Sequence, residues 1–185
     1  MTVDFPEILS DFMQWLASAP QVPGAGPPSE RILPAGDATA ALMVLVDMPE
    51  AEDIANKRLL SGPAGEMFDR MLAAMQLDRG KIWLAPLNLS RFVQGQNGEN
   101  NDSARFALIK HHVALVRPQR LWLMGDAPAR AILGMNVREA SGRLHNFNHI
   151  GLNIRTIATL HAQVLHAVPK RKAEVWADMK RLFED

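Results

Sequence analysis

"RLWLMGDAPARAILG", residues 120–134, joins a short apolar run to a helix-forming segment. "RLWLMG" (120–125) reads as a strand buried on both faces, because its apolar residues are consecutive and do not alternate with polar ones. "APARAILG" (127–134) reads as a helix that stops at Gly134. The same pairing recurs along the chain. "ALMVLVD" (41–47) is a strand. "PAGEMFDRMLAAM" (63–75) is a helix with Pro63 early and Met67, Phe68, Met71, Leu72 and Met75 on one face. "KIWLAPL" (81–87) precedes the helix "DSARFALIKHHVALV" (102–116), which closes before Pro118, and "LNIRTIATL" (152–160) precedes a final helix over 169–183. Four strands alternating with helices predict an α/β fold, a three-layer α/β/α sandwich around a central four-stranded parallel sheet. Ligands in such sheets lie at the C-terminal strand ends, which directs attention to the loops 47–53, 87–98 and 161–168.

Upstream, "FPEILSDFMQWLAS" (5–18) carries Phe5, Ile8, Leu9, Phe12, Trp15 and Leu16 at helical spacing, so residues 1–18 form an N-terminal amphipathic helix. Residues 19–37 are dense in Pro and Gly and read as an extended linker, with the compact domain over 38–185. A chain of 185 residues, 48% hydrophobic, suits one domain with a real core. Lys+Arg and Asp+Glu balance at 20 each, so any basic footprint for nucleic acid is local. The absence of cysteine excludes disulfides, thiolate catalysis and cysteine-ligated iron–sulfur or zinc sites. No basic n-region opens the chain and no apolar run reaches the ~20 residues that span a bilayer, so the expectation is a soluble, cytoplasmic protein without a membrane partner.

Two histidine spacings, His145 with His149 and His161 with His166, invite a metal reading, but neither has enough further ligands nearby. No metal and no cofactor are expected. The Met67, Met71 and Met75 stripe is core filling, and His111 and His112 sit mid-helix without need of a function. No P-loop or dinucleotide fingerprint occurs. What remains is Asp47 and His161, a carboxylate and a histidine on neighbouring strand ends, which could polarise a water and stabilise a departing anion.

The order of segments resembles a known family. "SGPAGEMFDRMLAAMQLDRGKIWLAPL" (61–87) is similar to "G-x-A-G-x-L-L-D-x-M-L … G-L-D-R … V-Y-I-T-N-V" of the uracil-DNA glycosylase superfamily, family-4 branch. "LVRPQRLWLMGDAPARAILG" (115–134) resembles "I-x-P-x-x-I-x-x-L-G-x-x-A-x-x-x-L-L-G". "GRLHNF" (142–147) and "TLHAQVLHAVPKRKAEVWADMK" (159–180) resemble "G-R-W-H" and "T-x-H-P-x-x-L-L-R-x-P-x-x-K-x-x-x-W-x-D-L-K". The last match runs ungapped through His161, Leu165, Pro169, Lys172, Trp176 and Asp178. The resemblance implies a uracil-DNA glycosylase-like fold and hydrolysis of the bond between uracil and deoxyribose after the base is flipped from DNA.

Residue by residue, the resemblance gives His161 the place of the histidine that stabilises departing uracil, with Ala162 where the family has proline. The family's G-E-A-P-G stands here as Val46-Asp47-Met48-Pro49-Glu50, so Asp47 takes the acidic position and both glycines are gone. Val46 and Glu50 should then crowd the base pocket, and Glu50 should repel a phosphate. The aromatic that stacks on uracil aligns with Leu60, and the asparagine that reads its edge aligns with Pro86, which has no side-chain hydrogen bond to offer. Asn88, two residues on, is a candidate substitute. The cluster cysteines align with Ser90 and Arg105, and a motif arginine with Ala167.

The resulting expectation is a divergent member with lost or strongly altered base excision, acting in repair or replication as a DNA- or protein-binding module. Two alternatives stand beside it: an active DNA glycosylase of changed base specificity using Asp47 and His161, and a small-molecule nucleoside or nucleotide hydrolase. Arg143, Arg155, Lys170, Arg171 and Lys172 are the candidate cationic contacts for weak DNA binding, the last three forming a basic run beside His161.

Overall fold

The computed structural model describes residues 4–91 and 102–184. Along the chain the elements are α1 (Leu9–Ser18), β1 (Ala35–Gly36), β2 (Leu42–Val46), α2 (Ala51–Asn56), α3 (Gly62–Ala74), β3 (Trp83–Pro86) and α4 (Asp102–Val116). They continue as β4 (Arg120–Met124), α5 (Asp126–Leu133), α6 (Val137–Ala140), β5 (His145–His149), β6 (Leu152–Thr159), α7 (Ala162–Ala167) and α8 (Lys172–Phe183). The strands form one sheet in the order β1-β3-β2-β4-β6-β5.

The expected four-stranded parallel core is β3-β2-β4-β6. The sheet is wider than expected, because β1 and β5 add antiparallel edges. "HNFNH" lacks an apolar run, and only Phe147 turns inward and is buried. Such a strand carries no hydrophobic signal, and it forms because the hairpin with β6 satisfies its backbone.

Successive residues of β2 point to opposite faces, and both faces are covered. Leu42, Val44 and Val46 join Trp122, Phe68, Leu72 and the α8 residues Val175, Met179 and Leu182 on one side. Met43 and Leu45 join Leu121, Leu123, Ile109, Val113 and Ile132 on the other. The central strand β2 is therefore apolar throughout, and the helices that cover it are apolar on the face turned to the sheet. Among the methionines expected as core filling, Met67 is buried, and Met71 and Met75 are partly buried against the same cluster.

Residues 19–37 are not an extended linker. Val22 packs with Phe12, Leu16, Leu89 and Leu108 in a third cluster, and Ile32 enters the main core. Arg31 is buried and donates to the carbonyls of Leu16, Ala19 and Gly26 at 2.7–2.8 Å. Leu89 N–H donates to Gly24 O, and Ile32 N–H to Leu89 O. The compact unit accordingly begins well before Ala38, and α1 docks on α4. Pro and Gly signalled irregular backbone correctly, but irregular backbone pinned by one arginine is ordered. Among the described residues, no helix is long and apolar enough to cross a membrane.

Candidate active site

Asp47 follows β2 at its C-terminal end, and its half-buried carboxylate accepts a 3.0 Å hydrogen bond from Asn88 Nδ2. Asn88 N–H also donates to Asp47 O at 2.8 Å, fixing the two strand ends together. The other end of the Asn88 amide accepts from Arg105 Nη1 at 2.9 Å, and Arg105 pairs with Asp102. Burial pushes the Asp47 carboxyl above the ordinary carboxylate range. Asn88 and Arg105 oppose that shift, and Glu50 and Asp126 add to it.

His161 follows β6 and caps α7. Its Nδ1 accepts from Gln163 N–H at 3.2 Å, which assigns the proton of the neutral ring to Nε2. Burial lowers its pKa, with Glu50 and Asp53 acting in the opposite sense. The ring is therefore neutral at physiological pH, and Nε2–H is its donor. The segment read as the loop 161–168 is mostly the helix α7, with Ala162 buried at its first position. The buried Ala162 and Leu165 form the face that α7 turns inward, and α7 packs on α3.

Asp47 and His161 are not on neighbouring strands: β4 lies between β2 and β6. Two strand spacings put the ends roughly 10 Å apart. The residue that follows β4 between them is Gly125, at φ 109, a conformation that disfavours any side chain. A Cβ there would touch only His161 Cβ, at 3.8 Å. Gly125 thus places no side chain between the two strand ends.

Beside His161 opens a cavity of about 310 Å³ lined by Glu50, Asp53, Leu60, Ser61, Gln163 and His166 among others. Of the six residues expected in a base pocket, Glu50 and Leu60 line it. Met48 is half-buried and Pro49 buried next to Asp47. Pro86 is buried in β3 in register with Val46, and Val46 itself belongs to the core rather than to the cavity. Asn88 is engaged at both ends of its amide by Asp47 and Arg105. Glu50 is held by Arg91 Nη1 at 3.0 Å and, through its backbone N–H, by Asp53 Oδ2. Asp53 is buried and also accepts from Ser61 N–H at 2.6 Å.

Leu60 is buried with φ 51, a left-handed conformation costing roughly 1–2 kcal/mol for a residue with a Cβ. Arg79 holds it there, donating to Leu59 O and Leu60 O at 2.6 Å each. The strand-end loop 47–53 and the strand ending "LMG" include Asp53 and Gly125 without singling them out, and nothing in the local sequence announces Arg79. Arg79 and Gly125 meet segments distant in the chain, and Asp53 ties Glu50 to Ser61.

The expected cationic residues separate in space. Lys170, Arg171 and Lys172 are exposed at the turn into α8, with Arg171 beside Glu174 at 3.6 Å. Arg143 is exposed and donates to Glu139 O. Arg155 lies on the first half of β6, away from His161, and caps the end of α8 through Arg181 O and Glu184 O. It is a structural residue. The positions aligned with cluster cysteines are also occupied by structural contacts: Ser90 Oγ accepts from Gly26 N–H, and Arg105 holds Asn88. Neither offers a thiolate, so these residues do not fit an iron–sulfur cluster. The part of the loop 87–98 beyond Arg91 lies outside the described residues. Among those described, no group of three or more His, Asp or Glu could hold a metal ion.

Curated proteins give no match to the chain. The family model described as the uracil DNA glycosylase superfamily matches residues 33–180, which span β1 through most of α8 and include both Asp47 and His161. The chain belongs to the uracil DNA glycosylase superfamily.

Proposed function

We propose that the protein is a family-4-like member that acts on DNA with strongly altered base excision, uracil being a poor substrate. The carrying observation is the placement of Asp47 and His161 at strand ends on either side of Gly125, with a cavity beside His161 walled by Leu60 and Glu50. A water held by Asp47 would attack the sugar carbon and pass its proton to the carboxylate, and His161 Nε2–H would donate a hydrogen bond to the base as it departs with the bond electrons. Uracil needs a stacking surface and an amide that reads its edge. Leu60 supplies only an aliphatic wall, and Pro86 supplies no donor or acceptor side chain. Glu50, paired with Arg91, fills space on the cavity wall beside His161.

Lys170, Arg171 and Lys172 support DNA as the partner, because phosphate neutralisation beside the His161 helix would hold the strand at the cavity. The test is incubation with DNA strands carrying uracil, hypoxanthine, xanthine or oxidised bases, read out by abasic-site cleavage. Release of a base other than uracil, dependent on Asp47 and His161, favours the active glycosylase of changed specificity. DNA binding without release favours a binding module. Turnover of free nucleosides without DNA binding would contradict the proposal.

A further inference from the structure

Asn88 stood in the sequence as a candidate to read a base edge, and its surroundings give it a different task. It is 2% exposed, and both ends of its amide meet partners of fixed polarity. Arginine only donates and a carboxylate only accepts, so the amide has one satisfied orientation: Nδ2 toward Asp47 Oδ1 and Oδ1 toward Arg105 Nη1. The backbone bond from Asn88 N–H to Asp47 O at 2.8 Å prevents the pair from sliding.

The N-terminal segment closes over this arrangement. Gly24 lies at φ 74 against Asn88, and a Cβ there would be 2.8 Å from Asn88 Oδ1 and 3.0 Å from Arg105 Cδ. Gly24 O accepts from Leu89 N–H, Gly26 N–H donates to Ser90 Oγ, and Arg31 fastens Gly26 O to α1. Residues 22–26 therefore act as a roof that keeps water from the Arg105–Asn88 contact, where a hydrogen bond gains strength from the low dielectric.

We propose that Asn88, oriented by Arg105 and roofed by Gly24, is a positioning residue for Asp47: it occupies carboxylate Oδ1 and leaves Oδ2 to hold the attacking water. The inference rests on the hydrolytic reading of Asp47 given above. The charged groups that act on Asp47 are Arg105 from α4, Glu50 from the segment after β2 and Asp126 from α5. Asn88 is the neutral group that selects between its oxygens.

The experiment is a carboxyl-carbon NMR titration of Asp47 in the full chain, which needs no catalytic activity. Asn88→Leu keeps the volume and removes the donor, and Arg105→Gln removes the charge that orients the amide. Gly24→Ala displaces the roof without touching Asp47. The expected result is an Asp47 midpoint raised by about one to two pH units in Asn88→Leu, the size of a lost hydrogen bond to a charged group. Smaller rises should follow in the other two. A merely space-filling Asn88 would leave the midpoint where it is, and an unchanged midpoint in folded Asn88→Leu overturns the proposal. Should that variant fail to fold, an unchanged midpoint in both Arg105→Gln and Gly24→Ala overturns it equally. Excision assays separate the two claims. A moved midpoint with no base released from any DNA sinks the hydrolytic reading alone, and base release with an unmoved midpoint sinks the positioning role alone.

Discussion

Replacing His112 with glutamine should make the protein more resistant to acid, and the size of the effect follows from the contact that docks α1. His112 is buried in α4, where its Nε2 accepts from Trp83 Nε1 at 3.0 Å and its ring lies 5.1 Å from that of Phe12. Burial, helped by His111, lowers its pKa from 6.5 to about 3. A histidine whose pKa is depressed on folding binds a proton in the unfolded chain first. Its penalty is absent above pH 6.5 and grows as pH falls, at about 1.4 kcal/mol per pH unit, until the folded pKa is reached. Between pH 6.5 and 4.5 this site alone removes about 3 kcal/mol of stability. Glutamine keeps an acceptor for Trp83 and cannot be protonated. Urea unfolding of wild type and His112→Gln at pH 7 and pH 4.5 isolates the term, because all other titrating groups cancel in the double difference. The variant should lose less on acidification by about 3 kcal/mol. Equal losses in the two proteins would mean that His112 is not buried and neutral, and that α1 does not dock where described.

Three other outcomes are expected. Asp47→Asn should raise the thermal midpoint at pH 7, because an acid with a raised pKa costs stability above its unfolded pKa, and the gain should vanish as pH falls below that value; calorimetry at pH 7 and pH 3.5 checks this. Arg31→Ala strands three carbonyls and should cost about 3 kcal/mol, with hydrogen exchange at Leu89 and Ile32 rising before that of the core strands. Replacing Lys170, Arg171 and Lys172 together by alanine should flatten the salt dependence of DNA binding by up to about three units of log–log slope, measured by fluorescence anisotropy, and an unchanged slope would move the footprint elsewhere.

The parallel core was legible because its strands are buried on both faces, so "ALMVLVD" and "RLWLMG" carry uninterrupted apolar runs. The edge strands were not, because β1 has two exposed residues and β5 buries only Phe147. The order of residues 22–33 is hidden for a related reason: it comes from Arg31, from backbone pairing with Leu89 and from the Ser90 hydroxyl, and sequence composition cannot report a tertiary hydrogen bond. At the site, strand ends nominated Asp47 and His161, but the order in which strands sit side by side was hidden, and with it the role of β4 and Gly125 in separating them. Asn88 was found by its distance from Pro86, and its partners Asp47 and Arg105 required the fold.

Single-turnover excision of uracil from DNA by the wild type, His161→Ala and Asp47→Ala measures whether the altered pocket still holds uracil for excision. Loss of the edge-reading amide costs on the order of a hundredfold or more, and loss of base stacking removes roughly 1–3 kcal/mol besides. Wild-type uracil release should run several orders of magnitude below that of an active relative. Rapid uracil release by the wild type, abolished in either variant, would contradict that expectation.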